Sequence, residues 1–408
     1  MFGLVLAAAL APGCSGARLT DATNGMTPAV PALKAPSGLT IRTIAAVPRA
    51  RELVDLPNGD LIVGTNDAKV YIVPNAESSA AAAAPRVFAT IDSETVPPGE
   101  PDGGNNPAGV AFSRATCTLY IATEYHVWST PYRDGDMTAE DLRPIATVRT
   151  GPSNATDHIT TSLAISGSTL FAGMGSDCNS CQESDPERAA IWKMHLDGSH
   201  KQLVAKNIRN AIALTANPES GHLWAGDAGQ DDLATMHPYE FVDDVTASAA
   251  GAGGIADYGW PYCEENHTLY KHSPAAPANC EKTVQPLIEY PAYTTHIGAT
   301  FYPLNPRGAY AFPAKYRGAL ISSRHGSWHV IDGCALAPEV DYVPMNGDKP
   351  KTSVDWRDPT KQYEPLVTGF QPPNCGTRVG RATGVTIGIK GSVFVADDEA
   401  GLIYRIRP

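Results

Sequence analysis

The stretch Gly59-Asp-Leu-Ile-Val-Gly-Thr65 decides the fold, because its plan recurs along the chain. Cys117-Thr-Leu-Tyr-Ile-Ala-Thr123, Ser168-Thr-Leu-Phe-Ala-Gly-Met174 and Gly221-His-Leu-Trp-Ala-Gly-Asp227 repeat it, as do Gly318-Ala-Leu-Ile-Ser-Ser323 and Gly391-Ser-Val-Phe-Val-Ala-Asp397. Each is a turn followed by a short strand of apolar, aromatic or β-branched residues. A second such strand comes next, as in Val70-Tyr-Ile-Val73, Val127-Trp-Ser129, Ala190-Ile-Trp-Lys-Met194 and Leu402-Ile-Tyr-Arg-Ile406. Six copies at spacings of roughly 50 to 100 residues predict an all-β fold, a six-bladed β-propeller. A strand at Leu39-Thr-Ile-Arg-Thr-Ile-Ala-Ala-Val47 precedes the first copy. It is expected to pair into the last blade and close the ring. Two sandwich domains are the structural alternative.

The composition agrees. The 408 residues include Gly 37 and Pro 34, roughly one residue in six, which suits short strands and turns better than long helices. Length alone suggests two domains, but the repeat favours one propeller over residues 38–408, after a leader and linker at 1–37. A 43% apolar content supports a substantial core. The net charge of −12 makes nucleic acid a poor partner.

The N-terminus, Met1-Phe-Gly-Leu-Val-Leu-Ala-Ala-Ala-Leu-Ala-Pro-Gly-Cys14, is too short to span a bilayer but suits the apolar part of a secretory signal. Leu10-Ala11-Pro12-Gly13-Cys14 resembles a lipoprotein processing site, with a lipid anchor at Cys14; a plain signal is the alternative. The protein is expected to be exported, as a periplasmic, secreted or envelope-anchored species. There the cysteines are expected to pair as 178–181, 263–280 and 334–375, with Cys117 left free as a buried hydrophobe. Cys178-Asn-Ser-Cys181 reads as a structural clasp, with metal binding or thiol exchange as alternatives. Asn154-Ala-Thr and Asn266-His-Thr match glycosylation acceptors but are common by chance. Residues 76–106 read as a surface loop or lid, and residues 247–296 as a segment folding over one face.

Just ahead of the innermost strands lie Arg51, Asn106, His158, Arg209 with Asn210, His296 and Arg381. In a propeller these positions surround one mouth of the central channel, so they are expected to converge on a pocket. The alternative is a set of channel-lining groups that satisfy one another. A neutral His suits the removal of a hydroxyl proton, and Asp157 could orient His158. No side chain accepts hydride, and the nicotinamide fingerprint is missing, so an oxidation here requires another cofactor.

At these residues the chain resembles the soluble glucose/sorbosone dehydrogenase family, which depends on pyrroloquinoline quinone. The resemblance covers roughly residues 38–408. It is carried by Asp157-His158, Asn207-Ile-Arg-Asn210, Trp224-Ala-Gly-Asp-Ala-Gly-Gln-Asp-Asp232, Asp257-Tyr-Gly-Trp-Pro261, Ser323-Arg-His-Gly-Ser-Trp328 and Gly380-Arg381. The sorbosone-type branch fits best, through Cys178-Asn-Ser-Cys181 and His325-Gly-Ser-Trp328. The resemblance implies a quinoprotein oxidising an aldose or sugar aldehyde to its lactone or acid, with electrons leaving to a cytochrome or quinone. It implies His158 as base beside Asp157, and Arg209 stabilising charge on the reduced cofactor. Arg209, Asn210, Arg324, His325, Arg381 and Arg51 are implied around the quinone, and calcium on main-chain carbonyls near Gly229 and Gln230. Where those glucose oxidisers carry Gln-Gly-Pro, this chain has Ala228-Gly229-Gln230; a lysine is replaced by Arg324 or His325, and only Arg381 matches a pair of arginines. A calcium-dependent lactonase, or a non-catalytic propeller binding protein or glycan, are the competing readings.

Overall fold

A computed structural model describes residue 14 and residues 32–77, 84–92, 106–150, 158–231, 237–270, 279–328 and 334–408. Asp157, Asn154 and most of the leader and of the 76–106 loop lie outside these described residues. Six antiparallel sheets form the blades of a propeller. Their inner strands are Ala50–Asp55, Gly109–Ser113, Thr161–Ser166, Ala211–Ala216, His296–Phe301 and Ala382–Ile387, for blades 1 to 6. The copies seen in sequence are the second strands, Leu61–Thr65, Thr118–Ala122, Thr169–Met174, Leu223–Asp227, Leu320–Arg324 and Val393–Asp397. Strand Thr40–Ala46 pairs antiparallel with Leu402–Arg407, with Thr40 opposite Arg407, so both ends of the described propeller share blade 6.

The packing explains why neighbouring blades hold together. Six apolar clusters form, one at each junction between adjacent blades. Tyr302 and Tyr342 of blade 5, for example, meet Val395 and Tyr404 of blade 6. Burying side chains of this size contributes roughly 1.5–3 kcal/mol each, and the ring shares that gain among all blades. At the axis the backbones themselves approach. A Cβ on Gly384 would lie 2.3 Å from the Arg51 carbonyl of blade 1, so that position requires glycine.

The segment after blade 4's third strand departs from the repeat. It forms a short helix, Val245–Gly251, capped by the Asp244 side chain. Ala256–Asp257 then runs parallel to the outer strand of blade 3, and Ile288–Tyr290 returns as the outer strand of blade 4. Between them Trp260 and Pro261 reach the channel mouth, where Trp260 Nε1 donates to the Asn179 carbonyl at 3.3 Å.

All eight cysteines are paired. Pairs 178–181, 263–280 and 334–375 match expectation, but Cys117 is not free: it bonds Cys14. Cys14 joins the apolar cluster between blades 1 and 2. A sulfur held in a disulfide is not available for a thioether-linked lipid, so this pairing also corrects the expected anchor at Cys14. Among the described residues no helix is long and apolar enough to cross a membrane.

Candidate active site

Antiparallel pairing dictates which residues meet at the mouth. Thr161 lies opposite Met174, Ala211 opposite Asp227, His296 opposite Arg324, and Ala382 opposite Asp397. Residues just before an inner strand therefore sit beside residues just after the second strand. Two clusters result at this end of the channel.

The first joins blades 3 and 4. His158 adopts φ 56° three residues before its strand begins, a conformation uncommon outside glycine. Its Nδ1 lies 3.0 Å from both the Ser176 carbonyl and the Ser176 hydroxyl. That hydroxyl donates its own proton to the Cys178 carbonyl at 2.7 Å. Both Ser176 atoms can then only accept, so Nδ1 carries the ring proton and Nε2 is the bare nitrogen. Arg188 pins the same Ser176 carbonyl at 2.8 Å. Burial first, and the Arg209 charge second, push His158 down to about 3, so the ring stays neutral. Gly175 makes this approach possible: a Cβ there would sit 2.5 Å from His158 Cβ and 2.7 Å from Asn210 Oδ1.

Arg209 is buried and held on three sides. Its Nε donates to the Asn179 carbonyl at 3.0 Å, and its terminal nitrogens donate to Asn179 Oδ1 at 2.9 Å and the Ala228 carbonyl at 3.0 Å. Asn179 sits between the two cysteines of the 178–181 disulfide, which serves as a clasp for the arginine's anchor. Asp231 adds one longer ion pair at 3.3 Å. The Asn210 amide donates to Asp227 Oδ1 at 2.6 Å, while Asn210 Oδ1 is buried without a partner. Burial raises Asp227 to about 7 against those hydrogen bonds and the Arg209 charge.

The second cluster joins blades 1, 5 and 6. Asp398 accepts from Arg51 at 2.9 Å and from His325 Nε2 at 2.9 Å. Burial would raise this carboxyl, but His325 and Arg51 together hold it well below the usual range. His325 is itself lowered to about 4 by burial. Arg381 donates to the carbonyls of His325 at 3.0 Å and Gly326 at 2.8 Å. Burial, then repulsion from Arg378, pulls Arg381 down to about 10. Arg51 Nε is buried with no partner. Crowded guanidiniums with unspent donors are a place for an anion.

Oxygen donors gather beside the first cluster. Gln230 is buried, its amide nitrogen donating to the Pro261 carbonyl at 2.9 Å and to Glu264. Gln230 Oε1 and Glu264 Oε1 are both buried and unpartnered. Burial, reinforced by Asp227, pushes Glu264 well above the carboxylate range. Such a set suits a hard cation. A Cβ added at Gly229 would meet Pro238 and Glu240 only at ordinary contact distance.

Not every expected residue arrives. Arg324 turns into blade 5, ion-paired with Glu339 and Asp341 and stacked 4.9 Å over Tyr363. Glu339, directly opposite Arg324 on the third strand of blade 5, and Asp341 two residues on hold its guanidinium within the blade. His296 is fully buried between blades 4 and 5, with Nδ1 2.7 Å from Ser322 Oγ and its ring 4.1 Å from Tyr290. Asn106 reaches blade 2's end of the mouth, tied to Glu124. Ser176, Asn179, Asp227, Glu264 and Asp398 escaped the reading of inner-strand starts. Asp227, Asp398 and Ser176 lie at the end of a second strand or within two residues after it, and pairing register would have found those. Below the mouth the channel narrows to a cavity of about 50 Å³ lined by Glu52, Leu163, Ile297 and Gly384.

A family model described as TrAA12-like matches residues 34–408. Among solved structures, the calcium structure of a Trichoderma reesei protein of Carbohydrate-Active Enzymes Family AA12 is 18% identical. Its TM-score is 0.73, covering 94% of this chain and 99% of that one. The holo form of the pyranose dehydrogenase PQQ domain from Coprinopsis cinerea is 16% identical, with TM-score 0.72 over 93% and 97%. The apo form of the soluble aldose sugar dehydrogenase from Escherichia coli is 15% identical, with TM-score 0.61 over 91% and 99%. At these identities the likeness is one of fold. A curated relative, an uncharacterized protein of Borreliella burgdorferi, is 26% identical over 239 residues, which are 58% of this chain and 56% of the relative.

Proposed function

Because the chain belongs to the TrAA12-like family, we propose that it is an exported quinoprotein oxidising an aldose or sugar aldehyde to its lactone or acid. Pyrroloquinoline quinone and calcium would be its cofactors, and a cytochrome or quinone its electron acceptor. One observation carries the reading: His158 presents a bare Nε2 at the mouth, kept neutral beside a buried arginine.

The residues fit the cofactors. Arg51 and Arg381 would hold the carboxylates of the quinone, relieving the crowding of their charges. Gln230 and Glu264 would supply side-chain oxygens to calcium, beside the main-chain carbonyls near Gly229. The bound quinone would supply the hydride acceptor that no side chain provides. His158 Nε2 would take the proton from the sugar hydroxyl, and Ser176 fixes the tautomer that allows it. Arg209, rigid on Asn179 and Ala228, would stabilise negative charge as it develops. Asp157 would stabilise the imidazolium that forms. The four disulfides among the described residues support export into an oxidising compartment. The sorbosone-type branch is proposed on Cys178-Asn-Ser-Cys181 and His325-Gly-Ser-Trp328.

The test is to add quinone and calcium to purified protein, follow quinone uptake by its absorption, and measure dye reduction across a panel of sugars. Uptake with turnover on an aldose supports the reading. Neither uptake nor turnover on any sugar overturns it.

A further inference from the structure

On the face opposite the mouth, three ligand-bearing side chains converge from separate elements. His222 ends the turn between the first two strands of blade 4, Asp244 ends that blade's third strand, and Asp348 sits in a hairpin beyond the third strand of blade 5. His222 Nδ1 lies 2.7 Å from Asp244 Oδ2 and 3.6 Å from Asp348 Oδ2. The three ligand atoms all fall within 4.8 Å of one another. Ligands at about 2.0–2.2 Å around a tetrahedral zinc stand about 3.4 Å apart, so small side-chain rotations would place all three on one ion.

The far oxygen of each carboxylate is already fixed. Asp348 Oδ1 accepts from Asn217 Nδ2 at 2.7 Å, Ser220 Oγ at 3.0 Å and Trp224 Nε1 at 3.3 Å. Asp244 Oδ1 accepts from the Ala247 amide at 2.9 Å, as the cap of the short helix. These outer donors leave both Oδ2 atoms aimed at His222, the arrangement that orients metal ligands. Asp244 is buried, and His222 is the only basic group that either carboxylate pairs with among the described residues. Two negative groups around one imidazole leave charge for a cation to neutralise.

We propose that His222, Asp244 and Asp348 bind a divalent transition ion of the zinc type, with water completing the coordination, and that the ion staples blade 4 to the blade 5 hairpin. One nitrogen and two carboxylate oxygens suit such an ion better than calcium, which takes six to eight oxygens. The site is separate from the mouth, and the inference does not depend on the proposed oxidation.

The experiment uses the full chain, stripped of metal and then saturated with calcium. Zinc is titrated by calorimetry, and cobalt(II) by its visible absorption, into wild type, His222→Ala and Asp348→Asn. Wild type is expected to take up one zinc more than either variant, to give a cobalt spectrum of low-coordinate N/O type, and to melt higher with zinc. Each variant should bind at this site at least about tenfold more weakly. Because His222 and Asp348 are partly exposed, both variants should keep the fold, checked by circular dichroism. No zinc uptake by wild type at sub-millimolar concentration overturns the proposal, as does equal uptake by all three proteins. Calcium competing zinc off the site also overturns it. A pH-dependent melting shift without metal uptake would leave only an ion pair there.

Discussion

His158 and His325 stand at the same mouth, both buried enough to stay neutral, yet they are employed in opposite ways. His158 ties Nδ1 to Ser176 and leaves Nε2 bare. His325 spends Nε2 on Asp398. The difference lies in the partner that the end of a second strand offers to each ring. Blade 3 supplies a serine that gives its own proton to Cys178 and so can only accept from the ring, whereas blade 6 supplies a carboxylate already committed to Arg51. Under the proposed function, one side of the mouth would move a proton and the other would hold charge.

The largest effect should come from His158→Ala, with turnover falling about 10²–10⁴-fold while quinone uptake persists. Full turnover in dye-reduction assays would dissolve the contrast between the two histidines. Next, Arg381→Ala should weaken quinone binding about 10–100-fold, as loss of a charged hydrogen-bonding partner of about 1.5–3 kcal/mol implies. Equilibrium absorption titration reads this directly. On the holding side, Asp398→Asn should lower stability by about 2–3 kcal/mol, seen as a reduced denaturant midpoint, because Arg51 and His325 lose their shared anion. An unchanged midpoint would show that this cluster does not depend on its carboxylate.

Smaller effects sharpen the proton-moving side. Asn179→Ala should cost several-fold in kcat by loosening Arg209, with the fold intact by circular dichroism. For pH, an ordinary imidazole would protonate near 6.5, whereas burial and Arg209 take His158 down to about 3. A lowered pKa moves the acid limb to lower pH, so kcat should stay level from about pH 8 to about pH 5. An acid limb near 6.5 would show that His158 is solvated rather than enclosed. In Arg209→Ala the limb should move upward, since one charge opposing protonation is gone.

Much of this was legible in residues 59–65 and their five copies, because a blade's second strand is apolar on both faces and bounded by turns. Arg51, His158, Arg209 and Arg381 could be placed at one mouth by counting back from those copies. His296 and Arg324 could not be excluded the same way, since the groups that hold them, Ser322 and Tyr290 for the imidazole and Glu339 and Asp341 for the guanidinium, lie on other strands. Cys117 looked free because its partner, Cys14, lies 103 residues away in the leader region.

The sequence by itself determined the blade repeat, three local disulfides and the pool of polar residues ahead of each inner strand. Periodicity and turn chemistry are local, and local order survives in a linear reading. Only the tertiary structure decided that Asn179 would grip Arg209, that Ser176 would fix the proton of His158, and that Asp398 would bind Arg51 and His325. These pairs lie on different blades or across a strand pair, so their meeting depends on register and ring closure. No single segment encodes either.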